Sequence, residues 1–112
     1  ALDASTRNHL ARLNADGSLG QVQAFASANA PIPSSDGLTL DCAGNLYVAQ
    51  GTDGIRIYDA QANPLGQIML PTGPATNSAF GGADASTLFI SSWAQGVTGL
   101  YSITLAVPGL PY

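Results

Sequence analysis

The sequence contains no lysine and no glutamate. Its charged side chains are Arg7, Arg12, Arg56 and seven aspartates, for a formal net charge of −4. A protein that grips nucleic acid needs a basic face, and one that rests on anionic lipid needs a basic patch. Three scattered arginines supply neither, so nucleic-acid and membrane partners are not expected. No apolar run approaches the roughly 20 residues of a membrane-spanning helix. Ala1 opens directly on polar sequence, and no leader is visible there.

Cys42 is the single cysteine. It can form no internal disulfide and cannot build a zinc site alone. It is expected to be a small buried hydrophobe. His9 is the single histidine, so no histidine pair can hold a metal. No G-x-S-x-G elbow exists to set a nucleophilic serine beside it. Long helices usually dress their exposed faces with lysine and glutamate, and neither is available here.

What is present is Gly, Pro, Ser, Thr, Asn and Asp at close intervals between short apolar runs. That is the pattern of an almost entirely β protein. The runs repeat. "LARLNADGSLG" begins at Leu10, "IRIYDAQANPLG" at Ile55 and "LYSITLAVPG" at Leu100, each 45 residues from the last. "LYVAQ" at Leu46 and "LFISS" at Leu88 lie 42 residues apart. A period in the forties with several short strands per unit marks a propeller blade, a four-stranded antiparallel sheet stacked on its neighbours.

The strands expected on this basis are His9 to Asn14 and Gln21 to Ala26, closing a first blade around an Ala15–Ser18 turn. Leu38 to Asp41, Leu46 to Gln50, Ile55 to Asp59 and Gly66 to Leu70 form a second blade after an Ala30–Ser35 linker. Ser78 to Phe80, Leu88 to Ser92 and Leu100 to Leu105 belong to a third, followed by a Pro-rich tail. Residues 1–30, 35–71 and 75–105 are thus blade fragments of one domain, about two and a half blades of a ring that closes with about 4–8. The outer blades would expose apolar sheet faces, so the remaining blades are expected as a partner, on another chain or a missing segment. Leu38, Leu40, Tyr47, Ala49, Ile55, Ile57, Phe80 and Phe89 are the expected core. A two-sheet sandwich is the rival architecture.

"SDGLTLDCAGNLYVAQGTDGIRIYD", "LGQIMLPTGPATNSAFGGADASTLFIS" and "GLYSITLAVPGLPY" together resemble the C-terminal part of the gluconolactonase/senescence-marker-protein (regucalcin) family. The resemblance runs through nearly the whole chain and is sharpest from Ser35 to Tyr112. It implies a six-bladed propeller with a divalent metal, often calcium, in its central channel, and hydrolysis of sugar lactones or related esters. By the same resemblance Asp36, in the "SDG" signature, is both metal ligand and candidate general base. A carboxylate is a hard oxygen ligand suited to calcium, and metal-bound water is easier to deprotonate. The competing reading makes Ser35-Asp36-Gly37 a turn entering a strand.

The family's other ligands, a glutamate and an asparagine, are expected upstream of Ala1. This chain alone is therefore expected to hold a fragment of the site and to be inactive by itself. Gln50, Asp53, Asn77 and Trp93 are candidates for the pocket rim, each with ordinary loop or packing roles as the alternative. Asp41, Asp59 and Asp84 fall at strand ends, where aspartate closes turns. A non-catalytic propeller of the NHL type, presenting a binding surface, remains the alternative function. Low charge and abundant Ser, Thr, Asn and Gln suit a periplasmic or secreted protein.

Overall fold

A computed structural model describes residues 9–25, 32 and 35–111. Within them the chain forms nine strands and no helix. β1 (His9–Leu10) and β2 (Gln23–Ala24) make a small antiparallel pair. β3 (Leu38–Leu40), β4 (Leu46–Ala49), β5 (Ile55–Tyr58) and β6 (Pro64–Ile68) form a four-stranded meander. β7 (Ala75–Gly81), β8 (Thr87–Ala94) and β9 (Val97–Thr104) form a three-stranded one. Every pairing is antiparallel and sequential, as the repeat requires. The Ala30–Ser35 linker falls largely outside the described residues, as do residues 1–8 and Ala26 of the first blade fragment.

The second sheet is the middle layer, because β4 alternates its side chains between two apolar clusters. Leu46 and Val48 point to one side with Tyr58 and Ala62, where Phe25 and Ile32 cover them. Tyr47 and Ala49 point to the other with Ile55, meeting Ala75, Leu88 and Ile90 of the third sheet. Tyr47 packs edge-on against Phe80, with ring centroids 5.2 Å apart.

Three expected core residues are not core. Leu38 is 49%, Leu40 41% and Phe89 38% exposed. Register explains this. Leu38 and Leu40 pair with Val48 and Leu46, so they face the first sheet, whose two short strands reach only part of that surface. Phe89 pairs with Ala79 and Ser102 on the outer face of the third sheet. Cys42 is also exposed, contrary to expectation. It sits in the Asp41–Asn45 turn, past the end of β3, where no sheet covers it.

The Pro-rich tail folds back. Even-numbered residues of β3 turn their backbone groups away from β4, and the tail bonds those at the C-terminal end of the strand and just beyond it. Cys42 N–H donates to Pro108 O at 2.9 Å, and Leu110 N–H donates to Leu40 O at 3.2 Å. Gly109 N–H donates to Ala85 O at 2.9 Å. Gly109 lies so close to Phe80 that a Cβ there would be 2.8 Å from its Cδ2 and nearer still to Cβ.

Candidate functional site

The described aspartates fall into two groups, at opposite ends of the strands. Asp16, Asp41, Asp59 and Asp84 each accept the backbone N–H of the residue two positions on, through Oδ1. Asp41 and Asp59 do so in identical hairpins. Each carboxylate also accepts the backbone N–H and side-chain amide of the asparagine four residues later, Asn45 or Asn63. These turns follow β3 and β5, at one end of the second sheet. Hydrogen bonds from Ser18, Asn63 and Ser86 hold the exposed carboxyls of Asp16, Asp59 and Asp84 below the ordinary carboxylate range. Asp41 is fully buried and accepts in addition from Tyr47 Oη. Burial first, then the adjacent Asp41 charge and hydrogen bond, push the Tyr47 phenol up to about 12.

Asp53 and Asp36 lie at the other end. Asp53 pairs with Arg56 at 3.4 Å, and its carbonyl accepts from Gln67 Nε2. Asp36 is the one described aspartate whose carboxylate takes no hydrogen bond and no ion pair among the described residues. Its backbone is nevertheless fixed. Asp36 N–H donates to Ala49 O, and Ala49 N–H returns a bond to Gly37 O, both at 2.9 Å. Gly37 N–H crosses to the third sheet and donates to Thr76 O at 2.9 Å.

Asp36 borders an open cavity of about 540 Å³ between the second and third sheets. Ser35, Gln50, Thr52 and Thr76 supply its polar lining, and Asp36 is its one charged group among the described residues. The structure thus brings Asp36 and Gln50 to one cavity. The Gln50 side chain turns away from it, donating through Nε2 to Tyr58 Oη at 3.2 Å. Asn77 contacts Gly37 without lining the cavity. Asp53 stands next to the lining residue Thr52 but faces Arg56, and Trp93 is exposed near the end of β8, opposite Thr98. Ser35, Thr52, Pro74 and Ala75 line the cavity without having been singled out in the sequence. Their shared signal is position, since each flanks a strand end on the Asp36 side.

Among the described residues no three His, Cys, Asp or Glu side chains come together. Calcium takes about 6–8 oxygen ligands, so the Asp36 carboxylate, the one free aspartate side chain among the described residues, does not by itself make a calcium site.

The SMP-30/gluconolactonase/LRE-like region matches residues 4–94. The chain belongs to this family. It is 38% identical over 58 residues to the pentonolactonase XacC of Haloferax volcanii, a match covering 51% of this chain and 20% of that protein. Among solved structures it is similar to a luciferin-regenerating enzyme, with a TM-score of 0.76, 25% identity, and coverage of 95% of this chain and 40% of that one. A putative gluconolactonase gives 0.75 at 26% identity over 96% and 34% of the two chains. The calcium-binding protein regucalcin of Agrobacterium tumefaciens gives 0.66 at 27% identity over 78% and 30%. The fold is a partial six-bladed propeller, and the chain spans well under half the length of these relatives.

Proposed function

We propose that this chain is the C-terminal portion of a metal-dependent sugar-lactone hydrolase, with Asp36 as general base and as one ligand of a divalent cation, calcium by preference. The observation that carries this reading is the unpartnered Asp36 carboxylate. Every other described aspartate is spent on a turn or an ion pair, whereas Asp36 is held by its backbone and left open at a cavity. Family relatives named as gluconolactonase, pentonolactonase and calcium-binding protein support the substrate class and the ion.

In this reading a water molecule attacks the lactone carbonyl while Asp36 takes its proton. The ring C–O bond breaks, Asp36 gives that proton to the leaving ring oxygen, and the open hydroxy acid leaves. The cation, when bound, polarises the carbonyl or the water. Its remaining ligands come from outside this sequence. The Thr52 hydroxyl in the cavity lining offers a hydrogen bond to a neutral polyol. The exposed faces bearing Leu38, Leu40, Phe89 and Leu100 are covered by further blades of the ring.

The test is lactone turnover with added calcium by the full-length protein and two variants. Asp36→Asn is expected to lose about 10²–10⁴-fold in turnover, the usual worth of a positioned base. Asp41→Asn keeps near-normal turnover in the fraction that folds, because its carboxylate closes a turn at the opposite end of the same strand. Wild-type turnover in Asp36→Asn would make Asp36 a turn residue and overturn the mechanism.

A further inference from the structure

The contact between Gly37 and Asn77 joins two sheets at the residue that follows Asp36. A Cβ built on Gly37 would lie 2.7 Å from Asn77 Cα, and closer still to the Asn77 carboxamide carbon and Oδ1. No real Cβ sits at such distances, so the Asn77 side chain occupies the space that any other residue at 37 would fill. The carboxamide is itself immobilised, because Oδ1 accepts the Ser78 backbone N–H at 2.8 Å. The register of β7 against β8 shifts between Ala75 and Asn77. Such irregularities re-aim a side chain and recur beside active sites. Here the shift sets Thr76 O on Gly37 N–H and the Asn77 carboxamide over the Gly37 Cα.

We propose that Asn77 is a positioning residue for Asp36: its locked carboxamide braces Gly37 from the third sheet while Ala49 holds the same dipeptide from the second. The inference rests on the role of Asp36 given above. Among the described residues Asp36 has no side-chain partner of its own, so the direction of its carboxylate depends on the backbone beneath it. Ala49 holds that backbone from the second sheet, and on the opposing side a single bond, Gly37 N–H to Thr76 O, reaches it. Without the Asn77 carboxamide over the Gly37 Cα, the Asp36–Gly37 segment can pivot about that bond towards the third sheet.

The steric match is tested in the full-length protein. Misplacement by about 1 Å can lower turnover about 10²-fold, and Gly37→Ala, which drives its methyl into the carboxamide, is expected to approach that loss. Asn77→Gly, which removes the brace without a clash, is expected to lower kcat per folded molecule about tenfold, within the range for a positioning defect, with KM nearly unchanged, beside the small loss of stability that a glycine causes inside a strand. The double variant Gly37→Ala/Asn77→Gly should stay impaired, because the new methyl would still stand 2.7 Å from the Cα of residue 77.

A purely structural role would move the melting midpoint and the folded fraction, leaving kcat per folded molecule alone. Wild-type kcat per folded molecule in Asn77→Gly overturns the proposal. If the wild-type protein turns over no lactone, the functional reading fails separately. The brace is then read from the Asp36 carboxyl carbon resonance, which Asn77→Gly should shift or broaden. An unchanged resonance in Asn77→Gly overturns it.

Discussion

The phenol of Tyr47 donates a hydrogen bond to Asp41 Oδ2 at 3.1 Å, with both residues buried. It fastens a β4 side chain to the turn that joins β3 to β4. Asp41 Oδ1 holds the N–H groups of Ala43 and Asn45 in the same turn. Tyr47→Phe removes one charge-assisted bond and leaves the others. Its expected effect is a loss of about 1.5–3 kcal/mol in unfolding free energy at neutral pH, read by urea titration.

The same pair sets a response to alkali. A phenol raised to about 12 is held neutral by the fold. Its ordinary value is about 10. The stability it contributes is complete below the ordinary value and is lost as pH rises through the window up to about 12. Urea midpoints measured through that window should fall for wild type and fall less for Tyr47→Phe. Parallel curves would mean that Tyr47 is not the group responsible.

Buried hydroxyls make a second, opposite expectation. Thr39 Oγ1 and Ser78 Oγ are both buried with no hydrogen-bond partner. Thr39 shares the Tyr47 face of the second sheet, and Ser78 the Phe80 face of the third. Relieving an unpaired buried polar group is worth about 1–3 kcal/mol. Thr39→Val and Ser78→Ala are expected to raise the melting midpoint, and a drop in both would show that these hydroxyls are partnered.

The Gly109 contact with Phe80 is tested by Gly109→Val. The new side chain cannot fit, so residues 108–110 must lift from β3. Hydrogen exchange at the Cys42 and Leu110 amides should accelerate while the amides of β5 stay protected. Overpacking of this kind costs about 1–3 kcal/mol. Unchanged exchange at Cys42 would show that the tail bond is not what protects it.

Much of this fold was readable because its signals are local. The continuous apolar run Leu46–Ala49 and the Gly-Asn and Asp-Gly turns place the second sheet within two residues. β6 begins at Pro64 instead of Gly66, since the first position of an outer strand tolerates a missing N–H. β7 begins at Ala75, not Ser78, because Thr76 and Asn77 break the apolar alternation that would announce it. The aspartates at turns were legible for the same reason, as each bonds the N–H of the residue two positions on.

What was not legible depends on distant partners. Cysteine is buried on average, but Cys42 follows the last residue that a sheet covers. Leu38 and Leu40 alternate as core residues do, and their exposure depends on how little of the first sheet faces them. The Gly37–Asn77 contact joins residues 40 positions apart, in two different sheets, and no periodicity encodes it.

An unpaired strand edge invites association with any extended chain that meets it. β3 presents such an edge on the side away from β4, and residues 108–110 cover its C-terminal end, bonding Leu40 O within the strand and Cys42 N–H just past it. The capping segment is poorly suited to extending the sheet further, because Pro108 and Pro111 have no N–H to donate. The tail therefore serves as a guard against misassembly. A truncation that removed it would be expected to show itself first as concentration-dependent aggregation, before any loss of secondary structure, measurable by light scattering alongside circular dichroism.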